Sequence, residues 1–304
     1  MTWSDHVLSS REVPLGGVRG ITVQRTLPHR GLPTVGAWCF VDYFGPTDDT
    51  MRVLPHPHTG LQTVTWPLSG EIRHKDNLGS DIVLKPGELN LMTSGNGVSH
   101  SEFSLEYAAG PIHGLQLWVA LPEDRRHGEA AFEHHADLPT LEMPHLSATV
   151  FMGMLGDAES PATTYTPMVG AELTVRRGTT ELRVDPAFEH ALMVIEGNVR
   201  VNGVRLERTQ MLYMRQDRIT VSITAESDAK LLLIGGEPFE EELVMWWNFI
   251  GRNHDEIAEA REDWQAGAAR FGTVAGHDGQ VIPAPELPHV RLTPRRRRAV
   301  VDSL

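Results

Sequence analysis

Apolar residues in this chain come in short runs, and nearly every run ends at a Gly or a Pro. Ile21-Thr22-Val23 and the aromatic stretch from Trp38 to Phe44 open the series, and Phe44-Gly45-Pro46 closes it. Residues 62–68 are rich in Thr, Val and Trp, which suit a pleated surface, and Ser69-Gly70 turns them into Glu71-Ile72-Arg73-His74, a predicted hairpin arm. Residues 81–84, 88–92 and 112–121 follow, the last with Leu115, Leu117 and Val119 on one face by the two-residue period. Strand-like runs resume at 148–152, 171–175, 191–195, 198–206, 211–214, 219–224 and 230–234. Many short strands at this turn spacing predict an all-β sandwich or barrel rather than a parallel α/β sheet, and the second half is as β-rich as the first.

Near the C-terminus the period changes. Asn253-His254-Asp255-Glu256 reads as a helix cap, followed by Ile257, Ala260 and Trp264 on one helical face, with Gly267 just past the end. Residues 238–250, which include Trp246-Trp247, predict a shorter helix packed on a sheet. The polar segment 122–144 has weak periodicity and is the expected crossing between domains. The expected division is 1–135, 136–275 and an extended Pro- and Arg-rich tail over 276–304, in which Arg295-Arg296-Arg297-Arg298 reads as a solvated run.

Two polar pairs, each spaced i and i+2, bracket the most informative stretch. Side chains two apart on a strand share a face, so His56 with His58, and His100 with Glu102, can each present a pair to one cavity. Three imidazoles and one carboxylate suit a first-row transition metal, and four protein ligands of an octahedral site leave two positions open to water, oxygen or substrate. Fe(II) is the expected metal, with Mn, Ni, Cu or Zn as other occupants of a purified sample. His74, His113, His134 and His135 read instead as solvent-exposed or hydrogen-bonded residues, His113 at most lining the cavity, and Met92, Met211 and Met214 as core.

A weak internal repeat relates the halves: residues 63–72 align with 190–199 and, after a five-residue gap in the second copy, 84–92 align with 206–214. Carried outward, that register puts Arg183 and Asp185 at the places of His56 and His58, and Ser222 and Thr224 at those of His100 and Glu102. The second copy is expected to lack the metal ligands.

Composition narrows the partners. The chain has 304 residues, a formal net charge of -13 and a pI near 5.6, which argues against direct nucleic-acid binding through phosphates. Its only cysteine, Cys39, has no CxxC context and reads as a small buried hydrophobe. The N-terminus lacks the basic start and apolar core of a secretory signal, and no apolar run approaches the ~20 residues that span a bilayer, so a cytoplasmic location is expected. A small-molecule substrate or a protein partner is expected, with no membrane contact and a monomeric chain.

His56-Pro57-His58-Thr59-Gly60-Leu61-Gln62-Thr63-Val64-Thr65, then Pro86-Gly87-Glu88, then Met92-Thr93-Ser94-Gly95-Asn96-Gly97-Val98-Ser99-His100-Ser101-Glu102, closely resembles the pirin family of bicupins. Phe44-Gly45-Pro46, Gly236-Glu237-Pro238 and Trp246-Trp247 extend the likeness along most of the chain. The resemblance implies two cupin barrels (double-stranded β-helix, or jelly-roll), with a mononuclear metal, usually iron, in the N-terminal barrel only. It implies His56, His58, His100 and Glu102 as ligands, and either a quercetin 2,3-dioxygenase-like oxidoreductase or a redox-sensing regulatory protein without turnover. In the enzyme, Glu102 is the expected catalytic carboxylate. Gln62 stands where most of the family has Glu, and an amide there cannot act as a base or supply negative charge near a metal. Thr59 and Leu61 replace the usual Arg and Phe, which alters the expected pocket shape.

Overall fold

In a computed structural model, which describes residues 5–14, 21–105 and 110–297, the chain folds into two β-barrels of matching strand order. Met1 to Ser4, Gly20 and Arg298 lie outside the described residues. In the first barrel a seven-stranded sheet runs Ala131–His135, Leu89–Thr93, Leu61–Ser69, Ile112–Ala120, Trp38–Thr47, Thr22–Leu27 and Arg11–Pro14. Its companion sheet runs Arg52–His58, Val98–Ser104, Ile72–Asp76 and Asp81–Leu84. The second barrel repeats this plan. Its large sheet runs His6–Leu8, Met211–Met214, Glu189–Glu196, Ala229–Gly236, Met168–Val175, Leu146–Leu155 and Thr140–Met143, with Ala158–Glu159 paired on Leu146–Leu155. The small sheet runs Gly178–Arg183, Thr220–Ala225, Val199–Val201 and Val204–Leu206. The expected all-β class, two barrels and C-terminal helix are all present.

Several local expectations give way to tertiary packing. Ile72–Asp76 is not a hairpin partner of Leu61–Ser69, because Gly70, with φ of 73°, turns the chain from the large sheet into the small one. The polar segment 122–144 supplies an edge strand to each barrel: Ala131–His135 pairs with Leu89–Thr93, and Thr140–Met143 pairs with Leu146–Leu155. Edge strands tolerate polar side chains on both faces, so they carry little periodicity. Residues 238–250 form no helix. Val244–Trp246 and Phe249–Gly251 make a hairpin that turns at Trp247, whose φ is 52°, and Phe249 bridges to Thr59 of the first barrel. The helix His254–Ala266 keeps its expected signals, with Asn253 Oδ1 accepting from Glu256 N at 3.0 Å, a left-handed Gly267, and Ile257, Ala260 and Trp264 buried. No helix among the described residues is long and apolar enough to cross a membrane.

The large sheets of the two barrels meet back to back. Trp38, Val41, Tyr43, Val64, Trp66, Leu115 and Leu117 from the first pack against Phe151, Met193, Ile195, Tyr213 and Ile234 from the second. Trp38 Nε1 donates to Val169 O at 3.0 Å, which satisfies the one polar atom of a fully buried indole. Cys39, Met92, Met211 and Met214 are buried, as expected. Among the described residues the tail has no helix or strand beyond residue 271, yet it is pinned at several points. Trp264 Nε1 donates to Ile282 O at 2.9 Å, Arg295 N donates to Leu243 O at 3.1 Å, and Arg297 pairs with the buried carboxylate of Glu189. Only an element far away in sequence, the Glu189–Glu196 strand, makes that arginine an internal ion pair.

The repeat is visible in the pairing register. Thr63 faces Met92 and His190 faces Met214; Ile72 faces Leu84 and Val199 faces Leu206. These are the positions that the sequence repeat superposes. Carrying its register outward to Arg183, Asp185, Ser222 and Thr224 fails by one residue. Ile72 faces Ser104 and His74 faces Glu102, whereas Val199 faces Ala225 and Val201 faces Ile223. Ile223 therefore stands at the place of Glu102 and Val221 at that of His100. Leu182, opposite Val221, takes the place of His56, which is opposite His100, and Val184 takes that of His58. A one-residue shift moves every side chain to the other face: Arg183 and Asp185 are exposed, while Leu182, Val184, Val221 and Ile223 fill the second barrel's core.

Candidate metal centre

Hydrophobic residues occupy the interior of the second barrel; polar ones occupy the equivalent part of the first. His56 and His58 lie on Arg52–His58, and His100 and Glu102 lie on the neighbouring antiparallel strand, with His56 opposite His100. A bulge between His100 and Glu102 sets Glu102 opposite Val53. All four are buried. His56, His58 and His100 bring ligand nitrogens within 4.8 Å of one another, and ring centroids are 4.4 Å apart for His56 and His100. Glu102 does not join that triad. It groups with His74 and His100 in a second, overlapping cluster, and its Oε1 lies 3.0 Å from Thr65 Oγ1.

The imidazoles are held in a state that suits a metal. His56 Nδ1 lies 2.9 Å from Leu54 O and His58 Nδ1 lies 3.1 Å from Asn248 O. A carbonyl only accepts, so each Nδ1 carries the proton and each Nε2 presents a lone pair. His58 Nε2 lies 3.1 Å from His100 Nε2. Two nitrogens bound at right angles to one metal, with bonds of about 2.1 Å, are separated by about 3 Å. Burial pushes the His56 imidazole down to about 4 and those of His58 and His100 well below the ordinary histidine range. The lone pairs are therefore free of protons at neutral pH, and the residues present fit a first-row transition metal. Burial raises the Glu102 carboxyl above the usual carboxylate range, so this group takes up a proton more readily than an exposed one.

His74, expected to be solvent-exposed or hydrogen-bonded, is hydrogen-bonded, and it lies against the site. It is buried, stacks on Phe132 with ring centroids 4.4 Å apart, and places Nδ1 3.4 Å from His100 Nδ1 and Nε2 3.0 Å from Asp76 Oδ2. Burial alone would raise the Asp76 carboxyl, but hydrogen bonds from His74 and from Ser80 N hold it below its usual range. The i, i+2 rule that finds His56 with His58 also pairs His74 with Asp76, so the signal was there. Gln62 proves to be outside the site. Its Nε2 donates to Thr93 Oγ1 at 2.9 Å and to Thr163 O at 3.1 Å, on the face shared with Val64 that turns toward the second barrel. Its missing charge therefore has no contact with the imidazoles. His113 bonds Tyr43 Oη at 2.7 Å, His134 bonds Asn90 Oδ1 at 2.8 Å and His135 bonds Glu133 Oε2 at 3.0 Å, the hydrogen-bonded roles expected of them.

Residues beyond the second barrel return to cover the ligand strands. Asn248 O holds His58; Phe271 O accepts from Ser99 Oγ at 2.6 Å; Ser101 Oγ lies 2.9 Å from His277 Nε2; and Ile282 N donates to Pro55 O at 2.8 Å. The close approach needs Gly60: its φ is 72°, and a Cβ there would lie 2.3 Å from Ile250 O.

Comparison with known proteins places this arrangement. Residues 20–119 match the Pirin family model, and residues 171–272 match that of the Pirin C-terminal cupin domain. A Pseudomonas aeruginosa protein is 39% identical over 292 residues, covering 93% of this chain and 92% of its own. A pirin-like protein of Caulobacter vibrioides is 34% identical over 293 residues, covering 93% of this chain and 99% of its own. Among solved structures, quercetin 2,3-dioxygenase from Acinetobacter baumannii superposes with a TM-score of 0.90 at 37% identity, over 95% of this chain and 98% of that one. The Escherichia coli pirin YhhW, solved in complex with nickel(II), shares the fold at 19% identity with a TM-score of 0.61, over 77% of this chain and 100% of its own. With both halves matched to the family models and the imidazole triad confined to the first barrel, the chain belongs to the pirin family of bicupins.

Proposed function

We propose that this pirin is an iron-dependent dioxygenase of the quercetin 2,3-dioxygenase type, acting on a flavonol-like enol. The observation that carries the reading is the convergence of the ring nitrogens of His56, His58 and His100, with Nε2 of His56 and of His58 presenting lone pairs, next to a buried carboxylate. The 37% identity to the A. baumannii quercetin 2,3-dioxygenase over 95% of the chain supports it. His56, His58 and His100 would hold the metal, with Glu102 as the adjacent carboxylate. When bound, iron supplies Lewis acidity and an electron conduit for oxygen chemistry.

The remaining work falls to the chain itself. Leu54 O and Asn248 O fix the orientation of two imidazoles through their Nδ1 protons. Glu102, raised by burial, takes the enol proton onto a carboxylate oxygen, and Thr65 Oγ1, 3.0 Å from Oε1, steadies that oxygen. Trp118, whose ring meets His58 edge-on at 5.2 Å, excludes water from one side. Oxygen uptake by the iron-loaded full chain with quercetin tests the reading. A rate above that of equal free iron, lost in Glu102→Ala, is expected; no excess over free iron with any flavonol would remove it.

A further inference from the structure

Arg11, Arg25 and Arg295 come from three separated stretches and meet on one cavity of about 330 Å³, walled by Phe40, Trp118, Trp246 and Trp247. Their charges do not balance. Arg25 forms a bidentate pair with the fully buried Asp42, at 2.7 and 2.6 Å, and lies over the Phe40 ring at 4.1 Å. Arg11 donates to the carbonyl of Pro28 at 3.0 Å, and the Arg295 side chain makes no ion pair among the described residues. Three guanidiniums thus face a single carboxylate, on a chain whose net charge is -13. Arg11 and Arg295 are exposed at the rim of the cavity, where desolvation and neighbouring guanidiniums lower both from the ordinary arginine range while Asp42 partly offsets the effect on Arg11.

The walls restrict the shape of what would neutralise them. Phe40 and Trp118 stack with centroids 4.0 Å apart and planes 12° from parallel, and Arg25 covers the remaining face of Phe40, so the half-buried Trp246 and Trp247 of the hairpin supply the open aromatic surface of the lining. Flat aromatic walls favour a flat ring, and paired guanidiniums favour a carboxylate. The cavity volume suits a small ligand of that kind. We propose that this cavity is a binding site for a planar aromatic carboxylate, with Arg11 and Arg295 contacting the carboxylate and Trp246 and Trp247 contacting the ring. It is separate from the imidazole triad but abuts it, because Trp118 touches His58 and Asn248 both lines the cavity and holds His58 Nδ1.

The site can be tested on the metal-loaded full chain by calorimetric titration with 1-naphthoate and with its neutral counterpart 1-naphthamide. Saturable naphthoate binding is expected, about tenfold tighter than naphthamide, and about tenfold weaker in Arg295→Ala and in Arg11→Ala. Arg296→Ala, which alters the neighbouring arginine paired with Glu242, should leave it unchanged. The arginine variants separate this site from direct coordination at the triad. Absence of saturable binding, equal affinity for naphthamide, or naphthoate affinity untouched by both arginine variants would overturn the proposal.

Discussion

His74 and His100 face each other through Nδ1 at 3.4 Å, and that contact couples the proton on one ring to the proton on the other. Neutral His74 donates Nε2–H to Asp76 Oδ2 at 3.0 Å, and that tautomer has a lone pair on Nδ1. His100 Nδ1–H can then donate to it, and His100 Nε2 turns a second lone pair toward His58 Nε2, 3.1 Å away. Two lone pairs at that distance repel, and a cation between them removes the repulsion. The buried chain Asp76, His74, His100 is therefore an orienting device for the triad.

Removing that device should weaken metal binding without removing a triad member. His74→Phe keeps the stacking on Phe132 but not the hydrogen bond, and is expected to lower metal affinity about 10- to 100-fold. Chelator competition on the variant measures it; affinity equal to the unaltered protein would show that His100 orients itself.

Replacing equivalent positions of the two barrels should have opposite signatures. Leu182 and His56 occupy matching places, one in a packed core and one among imidazoles. Leu182→Ala should cost about 2–5 kcal/mol in denaturant unfolding and leave metal content intact. His56→Ala should abolish metal binding while costing the metal-free protein less than Leu182→Ala does.

The tail latch at the seam between the barrels should contribute to stability. Glu189 is buried, accepts from Gly36 N at 2.6 Å and from Tyr213 Oη at 2.8 Å, and takes its cation from Arg297. Arg297→Ala strands that carboxylate and should cost about 3 kcal/mol in thermal or denaturant unfolding. A change within about 0.5 kcal/mol, the range of ordinary surface substitutions, would mean that the tail is not coupled to the core.

Acid should weaken the second barrel through His190. Burial lowers this imidazole to about 4, against an ordinary value of 6.5 when unfolded. The unfolded chain therefore binds the extra proton between these values, so the stability contributed by the neutral ring is complete above pH 6.5 and is lost as pH falls from 6.5 toward 4. The loss is about 3 kcal/mol. Denaturant titrations of metal-free protein at pH 7 and pH 4.5 should show a smaller acid loss for His190→Leu than for the unaltered chain.

Much of this was legible because strands and helix ends obey local rules. The i, i+2 spacing put His56 with His58 and His100 with Glu102, and the Asn253 cap and Gly267 bounded the helix. What the sequence concealed depends on partners far along the chain. Gln62 takes its meaning from Thr163, Arg297 from Glu189 and His58 from Asn248, none of which has a fixed spacing to its partner. The hairpin at 244–251 read as a helix because two tryptophans in an apolar stretch look alike in either period, until Trp247 takes a positive φ and Phe249 joins Thr59. In the repeat, a one-residue slip concealed that the second barrel had replaced its ligands with Leu182, Val184, Val221 and Ile223 rather than with polar residues.

The most direct measurement is the metal content of protein purified without chelator, determined in parallel for the unaltered chain and for His58→Ala and His100→Ala. A single equivalent per chain, lost in both variants, is the predicted result. A second equivalent, or metal retained when either imidazole is removed, would contradict a single centre built on the triad of the first barrel.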